Sequence, residues 1–304
     1  MSHFHYIKGE RPQFLGLEQK SESVSFFRYL MHYIYGANEP AIIRQAKNIC
    51  DGIEAATTPE ERQKKINQFK TLSSSKMTQS LPHALVVSHN ASKNVMDFAY
   101  NVEGPRGARI AVGPCVCQIA LKKYPSGVTE PEIKDITLFY GADIYNDLGA
   151  GYKEITADEA KQILDECHEK GYVHQALYCY NSGAGLFVMC NCDDQACGVI
   201  RGYNLSGAGT DKGPEICSRD ETKCLGVDAC GKCVERCRFH ASSIVDGKVV
   251  FDQSKCMGCE VCVVTCKGNA RSMQEREDYE FEDIMSKKLL LAGRYGYEEL
   301  EVFA

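Results

Sequence analysis

The sequence predicts an α+β protein: a helical N-terminal region, a mixed α/β middle with a winged-helix-like outline, and a C-terminal module with pseudo-twofold repetition. Three observations predict it. Apolar residues near the N-terminus recur at helical spacing. The middle sets strand-like runs beside a capped helix. Closely spaced cysteines near the C-terminus fall into two copies of one pattern.

A chain of 304 residues has room for two or three domains. The expected divisions are a helical region over 1–107, an α+β region over 108–208, a cysteine-repeat domain over 209–272 and a tail over 273–304. An apolar share of 44% and a charged share of 25% are those of a soluble globular protein. The net charge of −6 argues against nonspecific nucleic-acid binding. No run reaches the ~18–20 apolar residues of a membrane span, and the N-terminus lacks a basic-then-apolar leader layout. Seventeen cysteines are an odd count at metal-type spacing, which points to a reducing cytoplasm. Such thiol density also predicts an oxygen-poor, anaerobic setting.

Residues 22–70 read as helical. Phe26, Phe27, Leu30, Tyr33 and Ile34 form an apolar stripe, a second helix runs near Ala41–Ile53, and Thr58-Pro-Glu-Glu61 starts another. Ser73–Lys76 reads as a loop and 82–100 as a further helix. This region carries no readable motif beyond packing faces. In the middle, Arg109–Val112 reads as a strand leading through Cys115-Val116-Cys117 into a helix, Gln118–Tyr124. Thr156-Ala-Asp-Glu159 is a capping box, and Gly171 ends the helix that follows. Residues 173–180 and 186–190 read as a hairpin around Asn181–Gly185. The second strand delivers Cys190-Asn-Cys192, with Cys197 shortly after. The acidic helix before the hairpin (Asp158, Glu159, Asp165, Glu166, Glu169) does not suit a DNA-reading face.

The C-terminal cysteines carry the chemistry. Cys256, Cys259, Cys262 and Cys266 read C-x2-C-x2-C-x3-C, and Cys230, Cys233 and Cys237 read C-x2-C-x3-C with Cys224 ahead of them. Cys230, Cys233 and Cys237 are each offset by 29 residues from Cys259, Cys262 and Cys266. Cys224 to Cys256 is offset by 32, so the first copy holds a three-residue insertion. Each iron of a [4Fe–4S] cube needs one thiolate, and three thiols on a tight loop can wrap three corners. Eight thiols in a duplicated pattern therefore suit two [4Fe–4S] clusters. Zinc sites more often show C-x2-C pairs.

Residues 217–272 resemble the bacterial two-cluster ferredoxin domain. Ala241 and Ala270 stand four residues after the last cysteine of each copy, as in the family's C-P-x-x-A pattern, although Arg238 and Lys267 replace the prolines. An Asp246-Gly247 hairpin turn lies between apolar runs. The resemblance implies crossed ligation: Cys224, Cys230, Cys233 and Cys266 on one cluster, and Cys256, Cys259, Cys262 and Cys237 on the other. Cys217 is the alternative to Cys224.

Two C-x-C pairs, Cys115/Cys117 and Cys190/Cys192, with Cys197 as a fifth thiol, form a candidate third metal site. This part resembles an uncharacterised family of anaerobic ferredoxin-domain proteins through Pro114-Cys115-Val-Cys117, Gly171-Tyr-Val-His174 and Cys190-Asn-Cys192. Gln118 stands where that family has arginine, and Asp193, Asp194 and Gln195 where it has further cysteines. A third iron–sulfur cluster, a structural zinc and an empty degenerate site are the three readings. Cys50, Cys167 and Cys179 read as core thiols.

No acid–base pair, activated nucleophile or nucleotide fingerprint is evident, so no residue is singled out as catalytic. The expected role is an iron–sulfur electron-transfer subunit of a cytoplasmic low-potential oxidoreductase complex, with catalytic or electron-carrier subunits as partners and no membrane span. The acidic and apolar tail either packs on the N-terminal helices or docks such a partner. The alternatives are an iron–sulfur redox sensor, or an enzyme with an open-coordination third cluster.

Overall fold

The computed structural model describes residues 4–5, 13–14, 21–74, 83–101, 110–138, 140–178, 186–193, 195–277 and 279–280. In chain order the elements are β1 (Phe4–His5), β2 (Gln13–Phe14), α1 (Ser21–Ala55), α2 (Pro59–Ser74), β3 (His83–Val87) and α3 (His89–Asn101). There follow β4 (Ile110–Pro114), α4 (Val116–Leu121), β5 (Ile133–Leu138), α5 (Tyr140–Asp147), β6 (Lys153–Glu154) and α6 (Ala157–Glu169). Next come β7 (Val173–Tyr178), β8 (Leu186–Cys192), α7 (Gly198–Ser206), β9 (Glu215–Arg219), α8 (Gly226–Ala229) and α9 (Lys232–Glu235). The series ends with β10 (Ser242–Val245), β11 (Lys248–Phe251), α10 (Val261–Val264) and β12 (Arg271–Glu275). The chain is thus mixed α and β.

The organising element is an antiparallel sheet of six strands in the order β3-β7-β8-β5-β4-β6. One face packs on α3 and α6 through Val95, Met96, Ala160 and Leu164, against Leu85, Ile136, Leu138 and Met189. The other face carries Val188 against Ile144 and Tyr145 of α5 and Tyr33 of α1. Each strand residue alternates between these faces, so every second side chain of β8 points to one layer. That alternation decides which thiols meet below.

Several elements differ from the expectations. The helix start anticipated near Ala41 is absent, because α1 runs on through Pro40. The long stretch expected to be helical over 82–100 opens with a strand, β3, whose Leu85, Val86 and Val87 are all buried. A run buried on both faces has no alternation to separate it from helix. The helix after Cys117 starts earlier and ends at Leu121. The helix-and-hairpin unit read as wing-like is α6 followed by β7 and β8. Both strands are interior: β7 pairs with β3 and β8, and β8 with β7 and β5. The tip of that hairpin and the tail beyond 280 lie outside the described residues.

Two local signals are borne out in detail. Thr156 accepts a hydrogen bond from Glu159 N–H while Glu159 reaches back to Thr156 N–H, the reciprocal cap that starts α6. Asp246 and Gly247 both take positive φ, 49° and 72°, as the two-residue turn between β10 and β11 requires. The helices α1, α2 and α7 meet at Cys50, Ile53 and Phe69. Gly202 of α7 makes that contact possible, since a Cβ there would lie 1.9 Å from the Phe69 ring.

Candidate iron–sulfur and thiol centres

The two cysteine copies fold alike. Asp220 and Asp252 each cap a short 3-10 turn, accepting from Thr222 N–H at 3.0 Å and from Ser254 N–H at 2.9 Å. Each turn delivers a cysteine in nearly the same backbone state: Cys224 at φ −70°, ψ 122°, and Cys256 at φ −69°, ψ 128°. The insertion after Cys224 is the extra helical turn α8. Gly231 and Glu260 then take left-handed conformations at φ 66° and 64°, opening α9 and α10. At the far end Ala241 N–H donates to Cys237 Sγ and Ala270 N–H to Cys266 Sγ, both at 3.2 Å. The copies are then tied together by Asp220 N–H to Ala270 O at 2.9 Å and Asp252 N–H to Ala241 O at 2.8 Å.

The packing crosses between copies. Cys237, from the first, lies in one apolar cluster with Cys256 and Cys262 of the second. Burial pushes the Cys259 thiol up, and the charges of Cys256 and Cys237 add to that. Three like groups sharing low-dielectric space are costly unless a cation holds them. Cys217 lies behind this group on β9, with Cys262 Sγ donating to its sulfur at 3.4 Å. That bond, helped by Arg271, outweighs burial and lowers Cys217 to about 7. Cys217 therefore stands beside Cys262, while Cys224 holds the place that Cys256 holds in the other copy. Gly226 N–H lowers the Cys224 thiol.

A cation sits among these sulfurs. Arg271 is buried, and its guanidinium reaches Cys217 Sγ at 3.7 Å, Cys233 Sγ at 3.5 Å and Ser242 Oγ at 3.1 Å. Its other face stacks on Phe251 at 4.4 Å. Nothing in the spacing of Arg271 singles it out in the sequence.

A family model described as a 4Fe–4S binding domain matches residues 249–272. The chain carries a 4Fe–4S binding domain. No curated protein and no solved structure matches the chain. The residues present fit the group: all-thiol donors, backbone N–H groups aimed at two of the sulfurs, and a tight loop at Gly258. Thiolates that repel one another when bare are what a cluster of irons would neutralise.

The five middle thiols also converge. Cys115, Cys117, Cys190, Cys192 and Cys197 line one enclosed cavity of about 30 Å³, together with Glu39, Lys134, Asp135, Asn191 and Asp193. Cys190 and Cys192 share a face of β8 by strand alternation, and Cys115 and Cys117 flank the start of α4. Cys197 is the hub. Bonds from Cys117 and Cys192 and the first N–H groups of α7 hold it well below the usual thiol range. The bonded Cys117 and Cys192 are correspondingly pushed up. Gln175 Nε2 donates to Cys192 Sγ at 2.9 Å.

A polar base lies beneath the cavity that sequence reasoning did not anticipate. Lys134, nearly wholly buried, pairs with Glu132 at 2.8 Å and Asp193 at 3.0 Å. Gln118 Nε2 donates to the same two carboxylates, at 2.9 and 3.0 Å. Asp193 Oδ1 in turn accepts from Gln195 and Ala196 N–H, forming the turn that presents Cys197. The residues noted as departures, Gln118 and Asp193, are thus parts of one buried network. Cys50 and Cys167 are buried, and Cys179 lies outside the described residues.

Proposed function

We propose that the protein is an iron–sulfur electron-transfer subunit of a cytoplasmic low-potential oxidoreductase complex. Its pseudo-twofold C-terminal domain would hold two [4Fe–4S] clusters, one on Cys224, Cys230, Cys233 and Cys266, the other on Cys256, Cys259, Cys262 and Cys237. The single observation that carries this reading is the repeat of cap, turn and sulfur-directed N–H bond in both copies, with Cys237 packed among the cysteines of the second. When bound, such clusters take up and release single electrons. The chain's own part is to fix the thiols, to shield them and to set charge around them.

A third centre in the middle cavity extends this to a relay. Cys259 lies in the same apolar cluster as Cys190, Cys192 and Cys197, bridged by Phe239, Met257 and Val261. The two thiol groups therefore border one apolar cluster. The second reading is a single zinc at that cavity, favoured by the all-thiol donors that line it together, since four thiolates make a tetrahedral zinc site. Leu225 and Val264 are about half exposed beside the cysteine turns, which suits docking of a partner that exchanges electrons. The interior position of β7 and β8 weighs against a DNA-reading regulator, since a wing needs a free ribbon.

Metal counting on the anaerobically purified chain tests the reading. Eight irons per chain are expected for two cubanes. About four more iron atoms assign a cluster to the middle cavity, whereas one zinc with a sulfur shell at about 2.3 Å assigns that ion. Four irons or fewer in total would overturn the two-cluster assignment.

A further inference from the structure

On the opposite face of the sheet, three histidines from three elements meet. They are His89 at the start of α3, His168 in the last turn of α6 and His174 in β7. One nitrogen from each lies within 4.8 Å of the others. His168 and His174 are buried, with 3% and 0% exposure, and the His89 side chain is 17% exposed.

The hydrogen bonds around them fix where the protons are. Asn191 Nδ2 donates to Lys134 O at 2.6 Å, so its Oδ1 is the atom facing His174 Nδ1, at 2.6 Å. An amide oxygen only accepts, so His174 carries its proton on Nδ1 and its lone pair on Nε2. His89 Nε2 lies 2.7 Å from Asp165 Oδ1, which also accepts from Lys93 at 2.9 Å. The Lys93 ammonium bonded to the same oxygen holds Asp165 as a carboxylate. Neutral His89 therefore places its proton on Nε2 and its lone pair on Nδ1. His89 Nδ1 and His174 Nε2 face each other at 3.1 Å. Two lone pairs at that distance repel unless something positive lies between them.

A proton is one candidate, but it would make a buried imidazolium. His174 is 0% exposed and its outer nitrogen faces an amide oxygen, not a carboxylate, so its own hydrogen bond supplies no counter-charge. A metal ion is the other. Two nitrogens bound tetrahedrally at about 2.0–2.1 Å stand about 3.3 Å apart. The observed separation is close to that value. The third ring supplies an independent sign. His168 stacks on His89 at 4.3 Å, and its Nδ1 is buried with no hydrogen-bond partner. A small rotation of that ring costs no bond at Nδ1. The outer contacts are also those of ligating histidines, whose second nitrogen donates to a carboxylate or an amide oxygen.

We propose that His89, His168 and His174 form a binding site for one divalent first-row transition-metal ion, zinc in class, distinct from every cysteine centre. Asp165 and Asn191 act as positioning residues for His89 and His174. The site is also tied to the cysteine domain. Glu260 Oε2, beside Cys259, accepts from Asn90 N–H at 3.3 Å, and Arg236, beside Cys237, donates to His168 O at 3.1 Å. Three imidazoles leave a fourth position open, as in zinc sites that bind water or a small ligand.

The test uses the full chain, prepared anaerobically with its clusters in place and dialysed against zinc. Zinc-edge X-ray absorption is expected to show a nitrogen shell at about 2.0–2.1 Å. Asp165→Ala, at a half-exposed position, should weaken zinc binding by about 10- to 100-fold while leaving iron content and cluster absorbance unchanged. His89→Ala should remove one zinc per chain. If His89→Ala fails to fold, Asp165→Ala and the wild-type spectrum decide alone. A wild-type chain that takes up no zinc, or takes it up only with a sulfur shell at about 2.3 Å, overturns the proposal. So does unchanged zinc affinity in Asp165→Ala.

Discussion

Arg271 places its guanidinium 3.5 Å from Cys233 Sγ, bonding a buried cation to a cysteine 38 residues away. The same group reaches Cys217, so one positive charge serves sulfurs beside both copies. A cation close to a cluster stabilises its reduced, more negative form, and hydrogen bonds to sulfur act in the same sense. Arg271→Met should shift one or both cluster potentials to more negative values, read by redox titration with EPR detection. Arg271→Lys keeps the charge but loses the forked bonds, so its shift should be smaller. Equal potentials in wild type and Arg271→Met would remove Arg271 from the tuning of the clusters.

Cys224 and Cys217 separate on a single comparison. Cys224 stands where Cys256 stands in the other copy, whereas Cys217 packs against Cys262. Under the proposed two-cluster assignment, Cys224→Ser disturbs one cluster and spares the other, lowering iron toward four per chain. Under the same assignment, Cys217→Ser keeps the full iron content and changes only the environment of the cluster proposed on Cys262. Iron analysis with EPR spin counting checks both. Loss of iron in Cys217→Ser alone would exchange their roles.

Gly258 is held by geometry that no other residue satisfies. Its φ is +87°, and a Cβ would lie 2.2 Å from the Glu215 carbonyl oxygen. The left-handed conformation alone costs an L-residue about 1–2 kcal/mol, and the carbonyl belongs to a strand that cannot move freely. Gly258→Ala should therefore displace the loop between Cys256 and Cys259 and reduce cluster occupancy. Gly247, also at positive φ but in open space, provides the contrast. Gly247→Ala should cost about 1 kcal/mol and leave the iron content intact. Equal iron content in both variants would dissociate the loop from cluster retention.

The sequence exposes what is repeated or capped, and hides what depends on distant partners. The cysteine spacing, Ala241 and Ala270, the Thr156 cap and the Asp246-Gly247 turn are local, and each appears in the structure as its pattern implies. The two C-x-C pairs and Cys197 line one cavity. The six-stranded sheet was not legible, because β3 and β5 are buried on both faces and lack the alternation that marks a half-exposed strand. The histidine trio was invisible for another reason. His89 and His174 stand 85 residues apart, and only the pairing of β3 with β7 brings them together.

Lys134 carries the last prediction. Its side chain is 3% exposed and its ammonium is flanked by the side chains of Glu132 and Asp193, with 12% and 2% exposure. It also lies 3.9 Å over the Tyr172 ring. Burial would raise Glu132, yet the bonds from Lys134 and Gln118 hold its carboxyl at about 2. Removing one partner of a buried ion pair leaves the other charges uncompensated, at a cost of about 3–5 kcal/mol. Lys134→Met should therefore lower the denaturation midpoint markedly at neutral pH. The sign with pH follows from Glu132. Its folded value lies below the ordinary 4.5, so the stability it contributes is present above that pH and is lost as pH falls toward 2. In Lys134→Met that acid-side loss should shrink, because the carboxylates start from a higher value. Double replacement, Lys134→Met with Asp193→Asn, should recover part of the stability by removing one stranded charge. Denaturant titration at pH 7 and pH 4 measures all three chains. A Lys134→Met chain as stable as wild type at pH 7 would show that this base does not hold the thiol cavity together.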